Sequence, residues 1–215
     1  YIQTIDLNTD TSYRDYWLNY YTNLNDKRKA FKAKAPFSDF RVFGELLAAI
    51  PEDVVVHFSN SSAIRYAQFF RSQAKRQFCN RGTSGIEGST STAVGYASFR
   101  RDKTLLISGD LSFLYDSNAL WNNPLPSSFR IVVVNNRGGG IFRILPQAKK
   151  TPRFEDFLET KHNRTAQPIA LENHFEYLAA HSYDELAECL NSFFDESASP
   201  KLLEVFTPSD QNEKV

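Results

Sequence analysis

Apolar residues come in short continuous runs separated by longer periodic stretches. Val54 to Phe58 (VVVHF) is a continuous apolar run, as expected of a strand covered on both faces, and Thr104 to Ser108 (TLLIS), Arg130 to Val134 (RIVVV) and Lys201 to Phe206 (KLLEVF) read as further strands, with Phe78-Cys79 as a shorter one. Helical spacing occupies much of the rest: Tyr13 to Lys34, Val42 to Ile50, Ser62 to about Gln77, Ser89 to Arg100, Phe113 to Trp121, Pro152 to Thr160, Glu172 to His181 and Asp184 to Phe194. Tyr1 to Asp10 alternates weakly and suits a strand or an extended tail. Strands alternating with helices predict an α/β fold, a mainly parallel sheet with helices on both faces. Residues 1–40 form an arm, and 41–215 hold the domain.

Within the arm, Tyr13, Tyr16, Trp17, Tyr20, Tyr21 and Leu24 recur at helical spacing, a stripe expected to pack. The basic stretch Lys27 to Lys34 reads as a solvated face. Lys and Arg total 25 against 25 Asp and Glu, so no global field attracts nucleic acid or anionic lipid. No apolar run approaches the roughly 18 residues of a membrane helix. Cys79 and Cys189 lack metal-ligand spacing and read as free thiols in a reducing cytoplasm. The absence of methionine and the start at Tyr1 lead us to expect a C-terminal piece of something larger.

The candidate chemistry lies at the carboxyl ends of two strands. Gly109-Asp110 follows one and Asn135-Asn136, Arg137 and Gly138 to Gly140 follow the next, so Asp110 and Asn136 are expected to meet in the crevice where such sheets bind ligands. Two hard oxygen donors and carbonyls freed by a glycine turn suit Mg²⁺, which shares its shell with phosphates. A helix opened by Ser112 would turn its N–H groups to the same anion. Each dipeptide alone is usually only a turn. A second polar turn, Ser59 to Ser62, repeats the arrangement, and Arg65 lies four residues beyond Ser61 on the same helix face. A cation in a first helical turn opposes the dipole, and a bound carboxylate explains it. Gly82, Gly85 and Gly88 give a tight path after Cys79, but neither a Rossmann fingerprint nor a P-loop is present. His57, His162, His174 and His181 form no ligand spacing.

Taken together, Arg81 to Gly88 (RGTSGIEG), Gly109 to Leu120 (GDLSFLYDSNAL) and Asn135 to Phe142 (NNRGGGIF) resemble the C-terminal diphosphate-binding domain of the 2-succinyl-5-enolpyruvyl-6-hydroxy-3-cyclohexene-1-carboxylate synthases of menaquinone biosynthesis. The similarity runs from about Phe43 to Phe142 and more loosely beyond. Leu111 stands where most thiamine enzymes carry a second glycine, Glu87 where an aspartate is usual and Arg137 where an asparagine is usual.

The resemblance implies a thiamine diphosphate fold and a transferase that decarboxylates 2-oxoglutarate and adds the four-carbon unit to isochorismate. It implies Mg²⁺ or Mn²⁺ held by Asp110, Asn136 and the Gly138 carbonyl. Cofactor contacts fall on Asn60, Ile86, Gly109, Asp110, Leu111, Ser112, Asn136, Gly138, Gly139 and Ile141, with Ile86 propping the bent cofactor. Ile86 otherwise reads as core. Substrate contacts fall on Ser61, Arg65, Arg81, Phe142 and Leu145. The arm becomes a linker from a preceding domain, and the partners are missing N-terminal domains and a second subunit of a cytoplasmic homo-oligomer. Two alternatives stay open: another thiamine-dependent 2-oxo acid decarboxylase or carboligase, and a non-catalytic domain binding a nucleotide diphosphate.

Overall fold

The computed structural model describes residues 10–100, 102–121 and 124–215, so the stretch Tyr1 to Asp10 lies almost wholly outside the described residues. The contacts divide the chain into two compact units at Ala35 and Pro36. The first is helix α1 (Ser12–Lys34). None of its residues is buried, and Tyr13, Tyr16 and Trp17 are 75%, 62% and 48% exposed. Within the stripe expected to pack, Trp17 stands edge-on to Tyr13, Tyr16 and Tyr20.

The second unit carries β1 (Val55–Phe58), β2 (Arg76–Cys79), β3 (Thr104–Gly109), β4 (Arg130–Asn135), β5 (Glu176–Ala180) and β6 (Lys201–Phe206). They form one sheet in the order β2-β1-β3-β4-β6-β5, and every pairing is parallel. Around it lie helices α2 (Asp39–Ala49), α3 (Ser62–Ala67), α4 (Ser89–Phe99), α5 (Asp110–Tyr115), α6 (Ile141–Ile144), α7 (Phe154–Phe157), α8 (Gln167–Glu172), α9 (Tyr183–Phe193) and α10 (Ser209–Asn212). Four of the five segments read as strands are the four central strands, β1, β3, β4 and β6, and the continuous apolar run of β1 has the composition of a parallel strand covered on both faces. Leu106, Ile131 and Leu202 from three of them meet Phe113, Phe129, Ala170 and Phe175 in one core.

Three expectations are corrected. Glu176 to Ala180 lies in the edge strand β5, not in a helix; its Glu, Leu and Ala are good helix formers, but pairing with β6 overrides local preference. The helix after β1 ends at Ala67, because the chain must reach β2 at Arg76 and lie beside β1. Helix α5 begins at Asp110 and not at Ser112, with Gly109 as its cap.

The sheet order reverses direction between β1 and β3: the chain leaves β1 for β2 on one side and returns to β3 on the other. Crevices at the carboxyl ends of such a switch point are where open α/β sheets bind ligands. Among the described residues no helix is long and apolar enough to cross a membrane.

Candidate functional site

A cleft of about 310 Å³ opens at that switch point, between the segments that follow β1, β2, β3 and β4. Every residue assigned above to cofactor, metal or substrate lines it. After β1 come Asn60, Ser61 and Arg65; after β2, Arg81 and Ile86; after β3, Gly109 to Ser112; after β4, Asn136, Gly138, Gly139, Ile141, Phe142 and Leu145. A second cleft, of about 230 Å³, lies at the amino ends of the strands beside Arg130. That guanidinium is consumed by the carbonyls of Ser127, Phe129, Phe193 and Asp195, so it serves the fold.

The floor of the first cleft is polar and tightly wired. Asp110 is the first residue of α5 and 4% exposed; its Oδ1 accepts from its neighbour Leu111 N–H at 2.7 Å, and its Oδ2 from Gly138 N–H at 2.9 Å. Gly138 has φ +151, and a Cβ there would lie 2.6 Å from the Glu159 carbonyl oxygen. The Gly138 backbone thereby sits close against the Glu159 carbonyl, and only glycine suits it. Arg137, at φ 66, is exposed and lines a shallow pocket apart from the cleft.

Asn136 is 6% exposed, and its Nδ2 donates to Asp39 Oδ2 at 2.8 Å. Its Oδ1 is buried without a hydrogen-bond partner. Such an orphaned acceptor is costly unless a ligand completes it. Burial raises the Asp39 pKa; hydrogen bonds from Thr207 and Asn136 oppose this, and the charge of Asp110 adds to the rise. The Asp110 carboxylate and an unpartnered amide oxygen make a local potential that favours a cation. Among the described residues no group of three or more His, Cys, Asp and Glu side chains could hold a metal. A set of one carboxylate, one amide oxygen and the Gly138 carbonyl is instead a hard oxygen site of the kind Mg²⁺ takes when it keeps water and phosphate in its shell.

The walls are held by other contacts. Asn60 spends its amide on the turn after β2, donating to the carbonyls of Asn80 at 2.5 Å and Gly85 at 2.7 Å and accepting from Arg81 Nη1 at 3.1 Å. Ser112 donates its hydroxyl to the Ile86 carbonyl, which fixes that residue at the rim. Of the three glycines there, Gly82 has open space around it, and only Gly88 adopts a positive φ. Ser61 has φ 68, a backbone strain that tends to be retained at ligand sites. Arg65 and Arg81 are exposed, and neither pairs with a carboxylate among the described residues. They are two available cations beside the apolar Phe142 and Leu145.

Two residues with a place here left no mark in the sequence pattern. Asp39 acts from outside the cleft through Asn136. His162 brings Nε2 to 3.2 Å from Asp110 Oδ2, though not in hydrogen-bond alignment. Its Nδ1 accepts from Arg164 N–H at 3.1 Å, which assigns the proton of the neutral ring to Nε2.

No protein-family model matches the chain. Among curated proteins it is similar to the 2-succinyl-5-enolpyruvyl-6-hydroxy-3-cyclohexene-1-carboxylate synthase of Christiangramia forsetii, 49% identical over 190 residues that make up 88% of this chain and 33% of that protein. The synthase of the same name from Flavobacterium johnsoniae is 46% identical over 88% of this chain and 34% of its own length. That of Cytophaga hutchinsonii is 38% identical over 99% of this chain and 38% of its own. The chain thus spans about a third of the length of the relatives it matches.

Proposed function

We propose that this chain, homologous over most of its length to one third of the 2-succinyl-5-enolpyruvyl-6-hydroxy-3-cyclohexene-1-carboxylate synthases, is their C-terminal diphosphate-binding domain and supplies the metal and diphosphate half of the active site. The observation that carries it is the buried, unpartnered Oδ1 of Asn136 in the same cleft as Asp110 and Gly138 at the sheet's switch point. Asp110, Asn136 Oδ1 and the Gly138 carbonyl would hold Mg²⁺ or Mn²⁺, with thiamine diphosphate completing the shell. When bound, that cofactor supplies an electron sink that allows a 2-oxo acid to lose carbon dioxide and its remaining carbons to be transferred.

The chain's own residues do the positioning. The close approach of the Gly138 turn to Asp110 sets the spacing of the metal donors before any ligand arrives. Ile86, braced through its carbonyl by Ser112, would hold the cofactor's rings at the rim. Arg65 and Arg81 offer charge-assisted hydrogen bonds to carboxylates, and both proposed substrates, 2-oxoglutarate and isochorismate, are carboxylates. Phe142 and Leu145 would supply an apolar wall for a cyclic substrate. The remaining two thirds of the protein, with a second subunit, would supply the other half of the site.

The test uses the full-length protein with thiamine diphosphate and Mg²⁺. Product formation that requires both 2-oxoglutarate and isochorismate is expected. Turnover of a 2-oxo acid indifferent to isochorismate would point to another carboligase or decarboxylase, and binding of a nucleoside diphosphate without turnover would point to a regulatory domain.

A further inference from the structure

Asp39 lies outside the cleft, at the first position of α2, and is 2% exposed. Its backbone N–H donates to Asn212 Oδ1 at 2.7 Å, and its carboxylate takes one bond from the Thr207 hydroxyl and one from Asn136 Nδ2 at 2.8 Å. Two elements distant in sequence, α10 and the end of β6, therefore clamp it against the residue after β4. No Lys or Arg pairs with it among the described residues.

Asp39 Oδ2 acts as an acceptor here, so the face of the Asn136 amide turned towards it is the NH₂ group. Turning the amide over would set Oδ1 against Oδ2, two acceptors in contact where no water competes. Gly140 closes another side: a Cβ there would fall 2.7 Å from Asn136 Nδ2, while its φ of −53 is ordinary for any residue. The amide is thus held in one orientation, with its oxygen left unpartnered.

We propose that Asp39 is a positioning residue for the metal, its carboxylate fixing the Asn136 amide so that Oδ1 is presented as a ligand. The proposal rests on the cofactor reading above. Groups that orient a metal ligand in this way change metal affinity by about tenfold to a hundredfold when removed.

The experiment is Mn²⁺ binding to the full-length protein at saturating thiamine diphosphate, read by the electron paramagnetic resonance of free Mn²⁺. Asp39→Ala is expected to weaken Mn²⁺ binding about tenfold or more. Asp39→Asn, which keeps one acceptor oxygen for Nδ2, is expected to restore most of it. Thr207→Val removes the other side-chain bond to the same carboxylate and is expected to leave Mn²⁺ affinity within about twofold, whatever it does to the melting temperature. Gly140→Ala reaches the same amide from another side and is expected to lower Mn²⁺ affinity with Asp39 intact. Wild-type affinity in a folded Asp39→Ala protein, or equal losses in Asp39→Ala and Thr207→Val, overturns the proposal. Should Asp39→Ala fail to fold, wild-type Mn²⁺ affinity in Gly140→Ala overturns it. Failure of the unaltered protein to bind Mn²⁺ with thiamine diphosphate is a different result, which sinks the cofactor reading itself.

Discussion

Gly138 N–H donates to Asp110 Oδ2 at 2.9 Å across 28 positions of sequence, so the turn after β4 is fastened to the first residue of α5. One carboxylate both shapes the glycine turn and stands among the proposed metal donors. This coupling makes the effects of substitution at the two positions predictable.

Asp110→Ala removes the only charged member of the proposed ligand set and the acceptor for Gly138 N–H. Metal-dependent cofactor affinity is expected to fall at least about tenfold, about 1.4 kcal/mol. Calorimetry of thiamine diphosphate binding to the full-length protein, with and without Mg²⁺, measures it; an unchanged Mg²⁺ increment would remove Asp110 from the site.

Gly138→Ala places a Cβ 2.6 Å from the Glu159 carbonyl oxygen at a φ of +151. The expected loss of stability is about 1–3 kcal/mol, accompanied by weaker metal-dependent cofactor binding. Gly82→Ala is the control, since nothing lies within 4 Å of its added Cβ, and it is expected to stay within about 0.5 kcal/mol of the parent. Urea unfolding of the two variants compares them.

Arg65→Ala is expected to leave thiamine diphosphate binding nearly intact while raising the KM of a dicarboxylate substrate, because it removes a charge-assisted contact outside the metal set. Lysine is expected to rescue only in part, lacking the planar fork. Steady-state kinetics with 2-oxoglutarate and isochorismate varied separately also assigns the arginine to a substrate; unchanged constants for both would return Arg65 to the solvated surface.

His57 is buried between Phe78 and Tyr96, and desolvation lowers its pKa from 6.5 to about 4. Because the unfolded chain takes up a proton that the folded one refuses, this contribution to stability is whole above about pH 6.5 and is lost as the pH falls towards 4. His57→Phe, which carries no titrating group, is expected to flatten the change in urea midpoint between pH 7 and pH 5. Parallel curves for parent and variant would show that other groups govern the acid limb.

The isolated chain is expected to have no synthase activity even with excess thiamine diphosphate and Mg²⁺, because it spans about a third of its relatives and, on the proposed reading, would offer only the diphosphate half of the site. Steady decarboxylation of 2-oxoglutarate by the purified chain would show that a complete active site lies within it.

The central strands and both polar turns were legible in the chain alone, because a buried parallel strand is a continuous apolar run and a strand-to-helix turn has its own short vocabulary. Their place at the carboxyl ends of two successive strands carried the pairing of the turns at Asp110 and Asn136. Asp39 and His162 were silent, since the residues they meet are remote and nothing in the flanking residues encodes the meeting. The segment Glu176 to Ala180 misled for a related reason: its composition favours a helix, and only the neighbouring edge of β6 makes it a strand. Local periodicity is set by which face of an element is buried and is written in consecutive residues. Edge pairing and the orientation of a buried amide are set by whatever the fold brings alongside, and those partners lie up to 97 positions away.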